Sequence, residues 1–302
     1  MFNKVVYLFI ALLMLSDCQA SQDSNVADKK NGIISVPVAN LREKPAHSSQ
    51  LVDQEIMGYT VKLLKHEDYW YQVQTEYGYT GWMTDKSLQL ADKAELKQWK
   101  DCKKIRVSKV FATVYSKSDE KSTPVTSIEM NTLLRKIGTA NGKWLKVGIP
   151  DGRIGFLKNQ DAVDNAQKKL KSSQLRKSII ETAKMMMGVP YLWGGKSSTA
   201  NDCSGFTSIV FRASGIELLR DAYQQATEGK AVDFKKDFSN VLPGDLLFFG
   251  KDKITHVGIS LGGGKFIHQR GCVHINSLKP ADTDYSDSDR KILKAVRRII
   301  GD

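Results

Sequence analysis

"THVGISLGGGKFIH", residues 255–268, alternates apolar side chains on either side of three consecutive glycines. Its reading decides the fold of the C-terminal half. A period of two is the signature of strands, and Gly262, Gly263 and Gly264 read as a hairpin turn between them. Taken as a three-residue loop, the glycines pair Leu261 with Lys265, Gly258 with His268 and His256 with Arg270. His256 and His268 then share one sheet face as diagonal neighbours, and Gly258 leaves room for two imidazoles. A two-residue loop predicts opposite faces.

Upstream, "NDCSGFTSIVFRASG" (201–215) places Phe206, Ile209 and Val210 at helical spacing and closes on Gly215. Asp202 or Cys203 falls at the helix start, where the dipole and unpaired N–H groups favour a thiolate. An inert buried cysteine is the plain alternative. The histidine pair shifts the reading toward a nucleophile: Cys203 attacks, His256 takes and returns the proton, and His268 orients that imidazole. A zinc half-site also uses two histidines, but "HQRGCVH" (His268, Cys272, His274) has no zinc spacing. Neither a metal nor an organic cofactor is implied.

Residues 36–88 fall on 110–162 when the chain is shifted by 74 positions. Glu55 meets Glu129, Trp70 meets Trp144, Val73 meets Val147, and Gly81 meets Gly155. Within each copy, "YWYQVQT" and "KWLKVGI" alternate, punctuated by turns at "TEYGYTGW" and "TANGKW". Short strands with closely spaced turns predict a small barrel in each copy. The charged "ADKAELKQWKDCKK" between them has helical spacing and reads as a connector. "DAVDNAQKKLKSSQ" reads as a polar hinge, and "LRKSIIETAKMMMG" as a helix whose methionines face the core.

The 302 residues allow two or three domains, and the formal charge of +12 is scattered without a long basic run. No nucleic-acid signature accompanies it, which makes nucleic acid a weak reading, and the diffuse charge fits equally well an anionic polymer outside the cell, such as cell wall or lipid surface. Lys4 before "VVYLFIALLML" reads as an export signal, too short to span a membrane. Two exits are open: cleavage after Ala20, or lipidation of Cys18 in "LSDC". A periplasmic or envelope location is expected, with membrane contact only through that anchor. Beyond Cys18 the cysteines number three, Cys102, Cys203 and Cys272, so at least one is free or paired between chains.

"VPYLWGG", "DCSGF", "LPGDLLFF" and "HVGISLGGGKFIH", in that order, resemble the NlpC/p60 family of papain-like cysteine peptidases. "ANLREKP…YWYQV…GYTGWM" is similar to the bacterial Src-homology-3-like domain. The apolar leader gives a signal at 1–20, and the repeat with the resemblance implies barrels at 32–91 and 106–165 about a linker at 92–105, and an α+β papain-like catalytic domain at 172–302. It implies hydrolysis of the γ-D-glutamyl–diamino acid bond of peptidoglycan stem peptides, in fragments with a free N-terminal L-Ala, by a monomer. By motif, Cys203, His256 and His268 are catalytic. Tyr191 lies beside the nucleophile and, with the Cys203 N–H, would hold the oxyanion. Glu55 and Tyr79 of the first barrel are candidates for the L-Ala ammonium, while Trp193, Asp202 and Ser204 would line the cleft. "LRDAYQQ" puts Leu219 and Ala222 where the family has proline and a hydroxyl residue, but keeps Arg220 and Asp221 as substrate contacts. The alternatives are a hydrolase or amidase acting on intact wall, and a non-catalytic wall-binding protein.

Overall fold

A computed structural model describes residues 29–165 and 170–301. The signal segment, both Cys18 exits and part of the polar hinge lie outside the described residues.

The first barrel comprises β1 (Asn31–Ile34), β2 (Val38–Arg42), β3 (Leu51–Ile56), β4 (Thr60–Glu67), β5 (Trp70–Thr75), β6 (Thr80–Thr84) and β7 (Leu88–Ala91). Its sheet order is β3-β2-β6-β5-β4-β1-β7. Alternation along these strands sends Leu41, Val61, Val73 and Met83 into one core. Helix α1 (Lys93–Asp101) follows. Asp92 caps it, accepting from the Ala94 and Glu95 amides at 2.8 Å each, and Glu95 returns a bond to the Asp92 amide.

The second barrel runs β8 (Lys104–Val107), β9 (Phe111–Tyr115), β10 (Pro124–Glu129), β11 (Leu133–Ala140), β12 (Trp144–Gly148), β13 (Ile154–Lys158) and β14 (Ala162–Asp164). Its order, β10-β9-β13-β12-β11-β8-β14, repeats that of the first strand for strand. The two copies also pack on each other. Met57 of the first barrel is buried in the core of the second, and its carbonyl accepts from the Leu133 amide at 3.1 Å. Gly58 beside it has φ +93°, and a Cβ there would fall 2.2 Å from the Leu133 oxygen, so the approach requires glycine.

The third unit is α+β. Helices α2 (Ser172–Met185), α3 (Cys203–Ala213), α4 (Ala222–Gln225) and α5 (Asp287–Ile292) accompany β15 (Lys230–Ala231), β16 (Leu246–Phe249), β17 (His256–Gly262), β18 (Lys265–Arg270), β19 (Cys272–Ser277) and β20 (Leu293–Arg298). The sheet order is β15-β20-β16-β17-β18-β19. Helix α3 packs against β17 and β18 and is buried from Cys203 through Arg212, which fits its lack of a polar face. Of the methionines at the end of α2, only Met186 enters the core. Met185 and Met187 are about half exposed, contrary to the sequence expectation, because α2 stops at Met185 and the chain then turns.

Candidate active site

The hairpin that carries both histidines turns on two residues, not three. Gly263 and Gly264, at φ +63° and +90°, make the turn and close Gly262 against Lys265. Two successive positive φ values suit a primed hairpin turn, which glycine adopts without strain. The expected pairing of Leu261 with Lys265 is therefore not made. The ladder instead shifts register between Ser260 and Gly262, leaving Leu261 as an extra residue. That bulge offsets the shorter loop, so Gly258 still pairs with His268 and the imidazoles share a face. A Cβ on Gly258 would lie 3.0 Å from the His268 Cβ, so the close pairing favours glycine.

The hydrogen bonds then fix every tautomer in turn. Asn276 Nδ2 donates to the Asp284 carbonyl at 3.2 Å, which leaves its Oδ1 as the acceptor 2.9 Å from His268 Nε2. His268 therefore carries its proton on Nε2, and its Nδ1 is a bare acceptor. His256 Nε2 lies 2.8 Å from that Nδ1 and must be the donor. His256 Nδ1 is consequently left with its lone pair free. Asn276 escaped the sequence reading. On β19 it stands two residues beyond His274, the partner of His268, and so is the diagonal neighbour of His268.

Cys203 is the first residue of α3, behind the N-cap Asp202, and is 8% exposed. Its Sγ lies 3.9 Å from the Thr255 carbonyl oxygen, and the Val257 and Ser204 amides favour its charged form. The sulfur thus sits against both chain neighbours of His256. Burial first, and the Asp202 carboxylate second, push the thiol up to about 12. Burial also drives His256 well below its ordinary value, reinforced by His268 and Arg270. Both groups are neutral at rest. A proton leaving Sγ for an imidazole beside it creates opposite charges together, the one separation a dry site tolerates.

The chain that carries this cysteine and this histidine relay is similar to known proteins. The NlpC/P60 family matches residues 188–291, and the bacterial SH3 domain matches residues 37–89. The gamma-D-glutamyl-L-lysine dipeptidyl-peptidase of Bacillus subtilis (strain 168) is 36% identical over 230 residues, 74% of this chain and 70% of that protein. The chain belongs to the NlpC/P60 family. It is a cysteine peptidase. Dipeptidyl-peptidase 6 of Lysinibacillus sphaericus is 29% identical over 256 residues, covering 82% of this chain and 92% of that one. The crystal structure of an NlpC/P60 family protein from Bacillus cereus ATCC 10987 shares the fold at a TM-score of 0.76. It is 24% identical and covers 90% of this chain and 100% of that one.

In this NlpC/P60 enzyme the remaining sequence-predicted residues separate into two groups. Tyr191, Trp193, Asp221 and Tyr79 are at least partly accessible. Burial and the nearby Cys203 push the Tyr191 phenol up to about 12. Burial first, and the charge of Asp221 second, push the phenol of Tyr79 in the first barrel up to about 12. Asp221 is half-buried, and its carboxyl is raised by burial while Arg220 and the Tyr223 hydroxyl favour its charged form.

Glu55, Asp202, Ser204 and Arg220 are buried. Glu55 is buried with Oε1 2.6 Å from Arg212 Nη1 and Oε2 3.5 Å from Lys196 Nζ, so it has no oxygen to offer an ammonium. Burial opposes its charge, but Arg212 and Lys196 prevail and hold its carboxyl below the ordinary range. Arg220 is buried between Asp53, Asp202 and Ser204. Asp202 Oδ1 caps the Gly205 amide at 2.7 Å, and its Oδ2 accepts from the Gly194 amide at 3.0 Å. These charges belong to a seam between barrel and catalytic domain. There Asp53, Glu55 and Asp202 face Lys196, Arg212 and Arg220, and Tyr77 links Lys196 to Asp53. A buried charge without such pairing is costly, which is why each member has a partner.

Proposed function

We propose that the protein hydrolyses the γ-D-glutamyl–diamino acid bond of peptidoglycan stem peptides, in released fragments whose L-Ala amine is free. The observation that carries the mechanism is the relay Asn276–His268–His256, which leaves His256 Nδ1 unprotonated. In this reading His256 takes the Cys203 proton as Sγ attacks the γ-carbonyl. The Cys203 amide, at the first helical position, and the Tyr191 hydroxyl hold the oxyanion. His256 then protonates the leaving amine of the diamino acid, giving a thioester. Water, deprotonated by the same nitrogen, attacks the thioester and frees the acid and the thiol. His268 accepts from His256 throughout and stabilises the imidazolium.

For the amine end, Asp221 replaces Glu55 as the carboxylate, with Tyr79 and Tyr223 beside it. The names of the relatives from Bacillus subtilis and Lysinibacillus sphaericus support a dipeptidyl cut, and the first also supports a γ-D-glutamyl bond to a diamino acid. The apolar leader behind Lys4 supports an envelope location. Incubation with L-Ala-γ-D-Glu-diaminopimelate and with intact sacculi, followed by mass analysis, tests the reading. L-Ala-γ-D-Glu from the free peptide is expected. Release from sacculi alone would overturn it.

A further inference from the structure

Glu55 and Glu129 are the same position of the repeated barrel, and both reach into one short stretch of the catalytic domain. Glu55 holds Lys196 at 3.5 Å. Glu129 Oε2 accepts from Ser198 Oγ at 2.5 Å, and its Oε1 from Thr199 Oγ1 at 2.9 Å. The Met130 amide adds a bond to Ser198 Oγ at 3.0 Å. Residues 196–199 are therefore gripped from both sides by equivalent glutamates. We propose that Glu55 and Glu129 are positioning residues of the active site, setting Cys203 against His256 through this stretch.

The route is continuous. Asn201 Nδ2 donates to the Ser197 carbonyl at 2.9 Å, and the Asp202 amide donates to the Gly195 carbonyl at 3.1 Å. Asn201 Oδ1 also accepts at 3.1 Å from Gln269, the chain neighbour of His268. The stretch thus lies between the barrels on one side and the nucleophile turn and histidine strand on the other. The barrels hold the far end of α3 as well. Arg212 pairs with Glu55, Arg106 donates to the Arg212 carbonyl at 2.8 Å, and Asn131 donates to the Ile209 carbonyl at 2.9 Å. Both glutamates are almost fully buried, so an effect of Glu129 on turnover must pass through the stretch it holds, and an effect of Glu55 through that stretch or through Arg212 of α3.

The copies differ in one useful respect. Glu55 faces two cations, whereas Glu129 faces two hydroxyls, so Glu129 can be replaced without stranding a buried charge. The test uses the full chain, with kcat and KM on L-Ala-γ-D-Glu-diaminopimelate and the iodoacetamide alkylation rate at Cys203, read by mass on its own peptide. Glu129→Ala is expected to lower kcat roughly tenfold or more with KM within about twofold, as displacement of a reacting group does. Cys203 alkylation should slow in parallel, and Glu129→Gln should restore most of both. Glu120→Gln, on the exposed side of the same barrel and paired with Lys158, should match the unmodified enzyme in both.

A folded Glu129→Ala protein with unchanged kcat and alkylation would overturn the proposal. So would a loss that disappears once rates are normalised to the folded fraction. If Glu129→Ala does not fold, Ser198→Ala and Thr199→Val remove the same bonds from the other side, and wild-type rates in both would equally refute it. Alkylation needs no peptide, so an error in the substrate would appear as absent cleavage with these alkylation differences intact.

Discussion

Asp53 of the first barrel and Asp202 at the head of α3 share one guanidinium, that of Arg220, at 2.7 Å each. A residue of the barrel is therefore one side chain away from the cap of the helix that Cys203 begins. Arg220→Lys keeps the charge but cannot span both carboxylates with a planar fork. Breaking such a buried pair costs about 3–5 kcal/mol. The expected result is a melting temperature lower by roughly ten degrees, at about 2–4 °C per kcal/mol for a unit of this size. A change of only a degree or two, measured calorimetrically, would contradict the brace.

Cys203→Ala and Cys203→Ser should abolish peptide cleavage while leaving the melting temperature nearly unchanged, since each removes little beyond the nucleophile. Residual cleavage by the alanine variant above background, followed by chromatography, would rule out the thiol mechanism.

Asn276→Leu removes the acceptor that holds the His268 proton on Nε2. With the tautomer released, His256 loses its assured acceptor, and kcat should fall roughly 10–100-fold, within the range for an orienting partner. His268→Ala should cost at least as much. Steady-state kinetics with KM reported separately decides the matter, because an effect on KM alone would place Asn276 in binding.

Acid should act on this site later than on an exposed histidine. Burial lowers His268 from 6.5 to about 4, against the opposing bond to Asn276, and lowers His256 well below 6.5. In the unfolded chain both titrate near 6.5. Between there and about 4 the unfolded state binds protons that the folded state excludes, so this contribution to stability is complete above 6.5 and is lost as pH falls. The proposed mechanism requires neutral His256, so the acid limb of kcat/KM should lie well under pH 6.5. A limb at or above that value would mean the histidine pair is solvated.

N-acetylating the L-Ala of the peptide removes the ammonium that Asp221 is proposed to meet. A half-buried carboxylate left without its partner costs about 1–3 kcal/mol, enough for a roughly tenfold or greater fall in kcat/KM. Asp221→Asn should narrow the gap between free and acetylated peptides, whereas Tyr79→Phe should narrow it less. Equal kcat/KM for the two peptides with the unmodified enzyme would remove the amine pocket.

Alternation made the strands legible in the sequence, and a 74-residue shift made the duplicated barrel legible. The cysteine and the two histidines stood out because few residue types can act as nucleophile and base. Asn276 did not, since "VHINSL" reads as an ordinary edge strand until its register against β18 is known. Glu55 was misread for a related reason. A charged residue is exposed by default, and its partner Arg212 lies 157 positions away, beyond any local pattern. The ionic seam is a product of docking, and sequence spacing carries no trace of it.

The hairpin at Gly263–Gly264 makes catalysis a matter of counting. If Leu261 were drawn into the ladder opposite Phe266 while the two-residue turn stayed, every pair behind it would slip by one, and His268 would face Ile259 instead of Gly258. One imidazole would then point through the sheet while the other stayed behind, although no catalytic residue had been replaced. A longer turn that keeps Gly262 opposite Lys265 preserves the shared face, so the site depends on the bulge at Leu261 and not on the length of the loop.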